Sequence, residues 1–106
     1  VPPPVIEPLA LWQALRSDAP PVVIDVREPR EFRQGRVPGS QSIPLPDLLA
    51  DPGQVPGDRS VVFVCRGGRR SARAAAVLLA AGHKDVAALR GGMLAWEAAN
   101  LLEAMG

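Results

Sequence analysis

Residues 61–71 read Val-Val-Phe-Val-Cys-Arg-Gly-Gly-Arg-Arg-Ser, and this stretch decides the fold. Its first four residues form an apolar, largely β-branched run, which is typical of a buried strand. The alanine- and leucine-rich stretch that follows predicts a helix over 71–81, and Gly82 is placed to end it. The segment therefore predicts a strand, a glycine-containing turn and a helix, with Cys65 at the carboxyl end of the strand.

Short apolar runs alternate with helical patterns along the rest of the chain. Strands are expected at Val5–Ile6, 22–26, 40–45 around Ile43, 61–64 and 86–89. Helices are expected at 8–16, 28–34, 46–50, 71–81 and 93–105, with a surface loop over 51–60. This alternation indicates an α/β fold in which helices cover both faces of a parallel sheet.

The length and composition are those of one folded domain. The 106 residues are 47% hydrophobic and 22% charged, which favours a packed core over disorder. We expect residues 1–4 to form an extended lead-in and residues 5–106 to form a single domain. The net charge of +1 gives no support to a nucleic-acid or membrane partner. No apolar run approaches the ~18 residues that a membrane span needs.

The single cysteine excludes an internal disulfide, and a reduced thiol fits a cytoplasmic location best. A lone cysteine on an apolar strand is usually an inert core residue. The residues after Cys65 favour a reactive one, because Arg66, Arg69, Arg70 and Arg73 are costly to crowd together unless they face water or an anion. The sequence therefore predicts a reactive thiol beside an anion-binding loop.

The turn after Cys65 could stabilise a thiolate without a neighbouring base. Gly67 and Gly68 allow the backbone to curl so that its N–H groups point inward, and the helix start adds partial positive charge. The thiolate is the reactive form of cysteine. The only histidine, His83, follows Gly82 in a turn that we expect at the amino-end edge of the sheet, so a Cys–His pair is not expected.

Loop length separates two chemistries. Four residues lie between Cys65 and Arg70, whereas the phosphate-binding arginine of cysteine-based phosphatases lies one residue further from its cysteine. A smaller ring of amides suits a sulfur atom attached to Cys65 better than a tetrahedral phosphate. A phosphatase or an arsenate reductase is therefore the weaker interpretation of this loop.

Residues outside the loop have simpler interpretations. Asp25 and Arg27 end the strand at 22–26 beside the expected site, where they either support the pocket or form an ion pair that braces neighbouring loops, and the ion pair is favoured. Gly91 and Gly92 are expected to make a tight strand-to-helix turn. Candidate core positions are Trp12, Leu94, Trp96, Leu101 and Leu102.

Four segments resemble, in order, the motifs of single-domain rhodaneses, a family of sulfurtransferases. They are residues 23–32, residues 35–40, the loop at 65–71 and residues 89–96. The resemblance covers residues 5–101. One departure is Arg36, which stands where the family commonly has histidine; it either adds to the positive mouth of the site or is solvated, and solvation is favoured.

The resemblance implies a three-layer rhodanese-like fold, with a five-stranded parallel sheet and helices on both faces. It implies that Cys65 takes the outer sulfur of an anionic donor such as thiosulfate and then carries it as a persulfide. Arg66, Arg69 and Arg70 would help to bind the donor, and the amides from Gly67 to Arg70 would hold the persulfide. Arg70 could instead point inward and brace the loop.

The resemblance also sets the expected partners. They are a small anionic sulfur donor and an acceptor that is cyanide, a thiol or a sulfur-accepting protein. From the balanced charge we expect no nucleic acid or membrane partner, and we expect no cofactor or metal. A monomer is favoured. Rhodanese-like folds also serve as non-catalytic regulatory or interaction domains, and that alternative stays open beside the sulfurtransferase and the phosphatase.

Overall fold

The structure is a computed structural model that describes residues 2–106. Within these residues, five strands form one parallel sheet in the order β1-β5-β4-β2-β3. The strands are β1 (Val5–Ile6), β2 (Val22–Asp25), β3 (Gln41–Ser42), β4 (Val61–Val64) and β5 (Val86–Leu89). The helices are α1 (Pro8–Leu15), α2 (Pro29–Gln34), α3 (Leu45–Ala50), α4 (Arg69–Ala80) and α5 (Gly92–Ala98), with a 3-10 turn at Pro52–Gln54. The expected α/β fold, with five parallel strands, is confirmed.

The two central strands place the site. In β2 and β4 every residue is buried, as expected when helices cover both faces of a parallel sheet. The strands pair in parallel from Val22 opposite Val61 to Asp25 opposite Val64. Their carboxyl ends therefore lie side by side, and Cys65 follows one while Arg27 follows the other. Ligands of such sheets bind at this edge.

The core is divided by the sheet into two clusters. Ile24 and Phe63 face one side and pack with Leu48 of α3 and Leu78 of α4. The side chains that alternate with them face the other side, where α1 and α5 supply further buried residues. That second cluster consists of Leu11, Val23, Val37, Val62, Val64, Leu89, Met93 and Trp96. Both faces of the sheet are therefore covered, which gives the three layers.

The last helix is shorter than the sequence predicts. It ends at Ala98 rather than near residue 105, and Asn100 follows with a left-handed φ of 56°. The chain then turns back, and Ala104 pairs with Arg36 in an antiparallel bridge. The reason is tertiary, since Trp96 Nε1 donates a hydrogen bond to the Leu102 carbonyl at 2.9 Å and holds the segment away from the helix axis.

Two core predictions in this region are wrong: Leu94 lies on the outer face of α5, and Leu102 lies beyond its end. Leu94 is 49% exposed and Leu102 is 67% exposed, so the expectation that both are buried is wrong. Trp96 is fully buried and Leu101 is half-buried against the same cluster. Trp12 is also half-buried, and its ring meets that of Trp96 edge to face at 6.3 Å between centroids.

Other boundaries move by a few residues. The third strand is confined to Gln41–Ser42, so Ile43 lies just outside it, although its N–H still donates to the Asp25 carbonyl at 3.0 Å. Helix α4 begins at Arg69, two residues earlier than expected, which puts two of the loop arginines in its first turn.

Across residues 2–106, no helix has the length and apolar character needed to cross a bilayer.

Candidate active site

The sulfur of Cys65 is held by backbone N–H groups. Cys65 directly follows β4 and is 1% exposed. The N–H of Gly68 donates to its Sγ at 3.0 Å, and the N–H of Ser71 donates at 3.3 Å. Two donors aimed at one sulfur stabilise a negative charge on it. The resemblance implied that the amides from Gly67 to Arg70 face the sulfur. Of these only the Gly68 amide donates to it, and the second donor, Ser71, lies outside that range, so the expectation is right for Gly68 and wrong for Gly67, Arg69 and Arg70.

Ser71 is a site residue that sequence reasoning missed. It is fully buried, and its hydroxyl donates to the Gly68 carbonyl at 3.1 Å. The thiol of Cys65 in turn donates to Ser71 Oγ at 3.3 Å. A hydroxyl can rotate, so the same group can donate to the sulfur once the thiol has lost its proton. The signal was available, since a serine one turn into a helix reaches back toward the preceding loop.

Glycine shapes the loop where it enters α4. Gly68 is the residue that precedes the helix, and its φ of 109° lies in the left-handed region that favours glycine. This conformation turns the Gly68 N–H toward Cys65, and it directs the first turn of α4 over the sulfur. The loop and the helix start therefore act together as the sulfur-binding element.

A second helix holds the loop from behind. The N–H of Met93 donates to the Cys65 carbonyl at 2.8 Å, and the N–H of Leu94 donates to the Arg66 carbonyl at 3.1 Å. Both donors belong to the first turn of α5, where N–H groups lack partners within the helix. Because the carbonyls of the loop are bound there, its N–H groups are left to face the sulfur.

This approach is close enough to require glycine. A Cβ on Gly92 would lie 2.4 Å from the Cys65 carbonyl oxygen and 2.5 Å from that of Arg66. The φ of Gly92 is 60°, which also favours glycine. The sequence predicted only a tight turn at Gly91 and Gly92, so their role in holding the loop is a further finding.

Asp25 and Arg27 form a buried ion pair beside the loop. Arg27 Nη2 lies 2.8 Å from Asp25 Oδ2, and the two side chains are 8% and 1% exposed. The same Nη2 donates to the Gly35 carbonyl at 2.7 Å. Breaking such a pair strands a buried charge, which is strongly destabilising. The pair thus ties the end of β2 to the residue that follows α2.

Arg70 is bound to Glu31 by two hydrogen bonds. Its Nη1 and Nη2 donate to Glu31 Oε1 and Oε2 at 3.0 and 3.3 Å. The hydrogen bond from Arg70 is the main cause that lowers the pKa of Glu31, and the same bond raises the pKa of Arg70. Glu31 Oε1 also accepts the N–H of Glu28, which caps the start of α2. Arg70 therefore joins the loop to α2.

The remaining loop arginines are exposed. Within residues 2–106 the salt bridges involve neither Arg66 nor Arg69, so their charges are directed to solvent.

Beside the loop lies a cavity of about 110 Å³, which we call the mouth cavity. It is lined by Arg27, Glu31, Gln34, Gly35, Arg66, Met93, Leu94 and Glu97. A larger cleft of about 410 Å³ lies at the amino-end edge of the sheet, around Trp12 and Val22, and it does not border the loop.

Two residues singled out in the sequence make their side-chain contacts outside the Cys65 loop. His83 follows α4, and its Nε2 is 3.2 Å from the Val55 carbonyl oxygen. Arg36 lies over the ring of Phe32, 4.5 Å from its centroid, and donates to the Phe32 carbonyl at 3.4 Å. Arg36 is thus packed on an aromatic face.

In the described part of the chain, no group of three or more potential ligands is placed to hold a metal ion.

Known proteins resemble this chain along most of its length. A family model described as the rhodanese-like domain matches residues 8–99. A sulfurtransferase of Allochromatium vinosum is 36% identical over 91 residues, which cover 86% of this chain and 85% of that protein. The thiosulfate sulfurtransferase GlpE of Pseudoalteromonas translucida is 33% identical over 78 residues, and the match covers 74% of each protein.

The fold comparison agrees. The crystal structure of a rhodanese-related protein from Thermoplasma volcanium matches with a TM-score of 0.88 and 25% identity, covering 97% of this chain and 99% of that one. The family model spans nearly all of the sheet and both helices that hold the Cys65 loop. The chain therefore belongs to the family of rhodanese-like domains, and its relatives include sulfurtransferases.

Proposed function

We propose that this protein is a sulfurtransferase that takes a sulfane sulfur from a small anionic donor such as thiosulfate and carries it on Cys65. The observation that supports the proposal most directly is the pair of N–H groups, from Gly68 and Ser71, that donate to the Cys65 sulfur. Such donors favour the thiolate, which is the nucleophilic form. They would also attract the negative charge of a persulfide on Cys65, which lies one bond further out on its terminal sulfur.

In the first half-reaction the Cys65 thiolate attacks the outer sulfur of thiosulfate. A bond forms between Sγ and that sulfur while the sulfur–sulfur bond of thiosulfate breaks, and sulfite leaves with the electron pair. The exposed charges of Arg66 and Arg69 attract the dianion to the loop. Arg70 contributes less to donor binding, because its guanidinium is already bound to Glu31.

In the second half-reaction a nucleophilic acceptor attacks the outer sulfur of the persulfide. The new bond forms as the bond to Sγ breaks, and the Cys65 thiolate leaves with the electron pair. Cyanide becomes thiocyanate, and an acceptor thiolate becomes a persulfide. Atoms and charges balance without a further reactant. Two such half-reactions through one covalent intermediate predict ping-pong kinetics.

The burial of Cys65 favours sulfur transfer over phosphoryl transfer. The residue is 1% exposed, and two amides and a hydroxyl already surround its sulfur. A donor whose reacting atom is a terminal sulfur needs only that atom to reach the Cys65 sulfur. A phosphate ester must bring a four-coordinate phosphorus to the same point and bind its oxygens around it. The loop therefore suits the smaller terminal atom.

Intact-protein mass spectrometry tests the proposal directly. The reduced protein is incubated with thiosulfate, and because Cys65 is the only cysteine, a gain of one sulfur that cyanide removes reports on that residue. Cys65→Ser should gain no sulfur and form no thiocyanate. Full thiocyanate formation by Cys65→Ser would overturn the proposal, as would faster turnover of an aryl phosphate than of thiosulfate.

A charge test addresses the donor. The double change Arg66→Gln and Arg69→Gln should lower kcat/KM for thiosulfate about tenfold, since each exposed charge contributes roughly threefold. Arg59→Gln, together with Arg16→Gln, is the matched control, because both residues line the distant cleft and the net change in charge is the same. An equal loss in both double variants would show that only the net charge matters.

A further inference from the structure

Besides Glu31, which is bound to Arg70, two carboxyl groups lie beside the mouth cavity, and the half-reactions described above give them no role. Glu97 lines the mouth cavity together with Arg66. Glu103 reaches the same place from the C-terminal segment, because its Oε1 lies 2.6 Å from the point that a Cβ on Gly35 would occupy, and Gly35 also lines the cavity. We call Glu97 and Glu103 the carboxyl pair.

The fold fixes the position of Glu103 from both sides. On one side the Leu102 carbonyl accepts the hydrogen bond of Trp96 Nε1 at 2.9 Å. On the other, Ala104 and Arg36 exchange two backbone hydrogen bonds, each 2.9 Å long. The backbone of Glu103 is thus held between two anchors. Because Gly35 has no side chain, the carboxyl of Glu103 has room to lie over it.

The two carboxyl groups affect each other. Burial is the main cause that raises the pKa of Glu103, and the charge of Glu97 and a hydrogen bond between the two carboxyl groups raise it further. The nearby Arg27 acts in the opposite direction. Arg27 is already paired with Asp25, however, and in the described residues neither member of the carboxyl pair forms a salt bridge. The carboxyl pair therefore places negative charge at the mouth that no salt bridge of the described residues neutralises.

Side chains of both charges therefore lie around the mouth cavity. Arg66 and Arg69 are exposed and positive, whereas the carboxyl pair is negative. A donor dianion is favoured by the arginines and opposed by the carboxylates, so the carboxyl pair gives no advantage to the donor half-reaction. The negative charge of the carboxyl pair repels the anionic donor, so it can favour only the other substrate, the sulfur acceptor.

We propose that Glu97 and Glu103 select the sulfur acceptor, and that they favour a thiol carried beside a positive charge, such as a cysteine next to lysine or arginine in a partner protein. This inference rests on the proposed sulfurtransferase function. The acceptor thiolate attacks the outer sulfur of the Cys65 persulfide, its proton having passed to the buffer, and Cys65 leaves as the thiolate. The carboxyl pair acts by attracting the positive charge beside the thiol, so both residues are positioning residues.

Three small thiols of different charge test the inference. The persulfide is first loaded with thiosulfate and confirmed by mass, and its loss is then followed in a single turnover with cysteamine, 2-mercaptoethanol or 3-mercaptopropionate. These carry a positive charge, no charge and a negative charge beside the thiol. For each thiol the rate of the variant is divided by the rate of the unaltered protein, which cancels the intrinsic reactivity of the thiol.

The double change Glu97→Gln and Glu103→Gln should slow cysteamine, leave 2-mercaptoethanol unchanged and speed 3-mercaptopropionate. A unit charge at roughly 7 Å in water-like surroundings alters a rate about threefold, so the two charges should alter it up to about tenfold. Asp18→Asn with Asp58→Asn is the matched control, since both residues are exposed and precede the amino ends of β2 and β4. It should leave all three ratios near one.

A further variant separates position from charge. Gly35→Ala places a Cβ against the mobile end of Glu103, which must move while it keeps its charge. Alanine also strains the backbone at the Gly35 φ of 159°, so the urea midpoint and the rate with 2-mercaptoethanol are measured beside the ratios. It should weaken the preference for cysteamine without abolishing it. Equal ratios for the three thiols in the double Gln variant would overturn the inference even if the persulfide forms normally. Absence of the persulfide itself would instead overturn the proposed function.

Discussion

Replacing Gly92 with alanine should damage stability and sulfur loading together. The added Cβ would meet the carbonyl oxygens of Cys65 and Arg66 at 2.4 and 2.5 Å, and the carbonyl carbon of Arg66 at 2.6 Å. These are backbone atoms, so they yield only if the loop or α5 moves. Such overpacking costs about 1–3 kcal/mol. The left-handed backbone at Gly92, with a φ of 60°, adds about 1–2 kcal/mol for alanine.

The expected loss of about 2–5 kcal/mol is smaller than the stability of many domains of this size, which lies around 5–15 kcal/mol. The variant should therefore still fold, with a lower urea midpoint. The loop should be displaced by a fraction of an ångström, which moves the N–H groups of Gly68 and Ser71 relative to the sulfur. A misplacement of about 1 Å lowers a rate by roughly a hundredfold. Persulfide formation from thiosulfate, followed by mass, should slow by about ten- to a hundredfold.

The control is Gly39→Ala. Gly39 also has a left-handed φ, 79°, but a Cβ there would meet no atom within 4 Å. It should lose about 1–2 kcal/mol from backbone strain alone and should form the persulfide at the normal rate. If Gly92→Ala lost no more stability than Gly39→Ala and loaded sulfur at the normal rate, the argument that α5 holds the loop by close contact would be refuted.

Three more predictions concern the frame around the site. The pKa of Glu31 is lowered in the folded protein, so its pairing with Arg70 stabilises the fold above pH 4.5, the ordinary pKa, and this stabilisation is lost as the pH falls through the lowered pKa. Urea midpoints measured at decreasing pH should show a loss of unfolding free energy of about 1 kcal/mol at most, because the pair is partly exposed. Glu31→Gln should lack this loss. Leu78→Ala removes a fully buried side chain and should lower the unfolding free energy by about 2–5 kcal/mol in urea, while a loss below about 1 kcal/mol would contradict the packing described. Trp96→Phe deletes the bond to the Leu102 carbonyl and should speed hydrogen exchange of the C-terminal segment, and unchanged exchange there would show that this bond does not anchor it.

The strands were predictable where an apolar run in the sequence coincides with a position that the folded sheet buries. At 61–64 every side chain is apolar, and every one is buried in the sheet. The position of Cys65 followed, because a strand followed by two glycines and a helical pattern leaves one place for the turn. The ring of amides could be predicted as a loop property, whereas the choice of Gly68 and Ser71 as the donors depends on the first turn of α4.

The end of α5 and the close contact between Gly92 and the Cys65 loop were not predictable, since both depend on contacts between residues that are distant in sequence. Leu101, Leu102 and Met105 continue an apolar helical pattern, but the chain leaves the helix to pair Ala104 with Arg36. Gly92 likewise resembles any glycine in a turn until the loop carbonyls are seen against it. No local rule predicts which backbone will approach a glycine from elsewhere in the chain.

The order of the strands has a consequence for how the protein is made. Strand β1 lies at the sheet edge, and in residues 2–106 its partner is β5, with Val5 opposite Ala88 and Ile6 opposite Leu89. During synthesis the amino end therefore leaves the ribosome almost a whole domain ahead of the strand it pairs with, and a long loop must close before that pairing can form. A nascent chain stopped before residue 86 would contain β2 and β4 complete, but it would have no partner for β1.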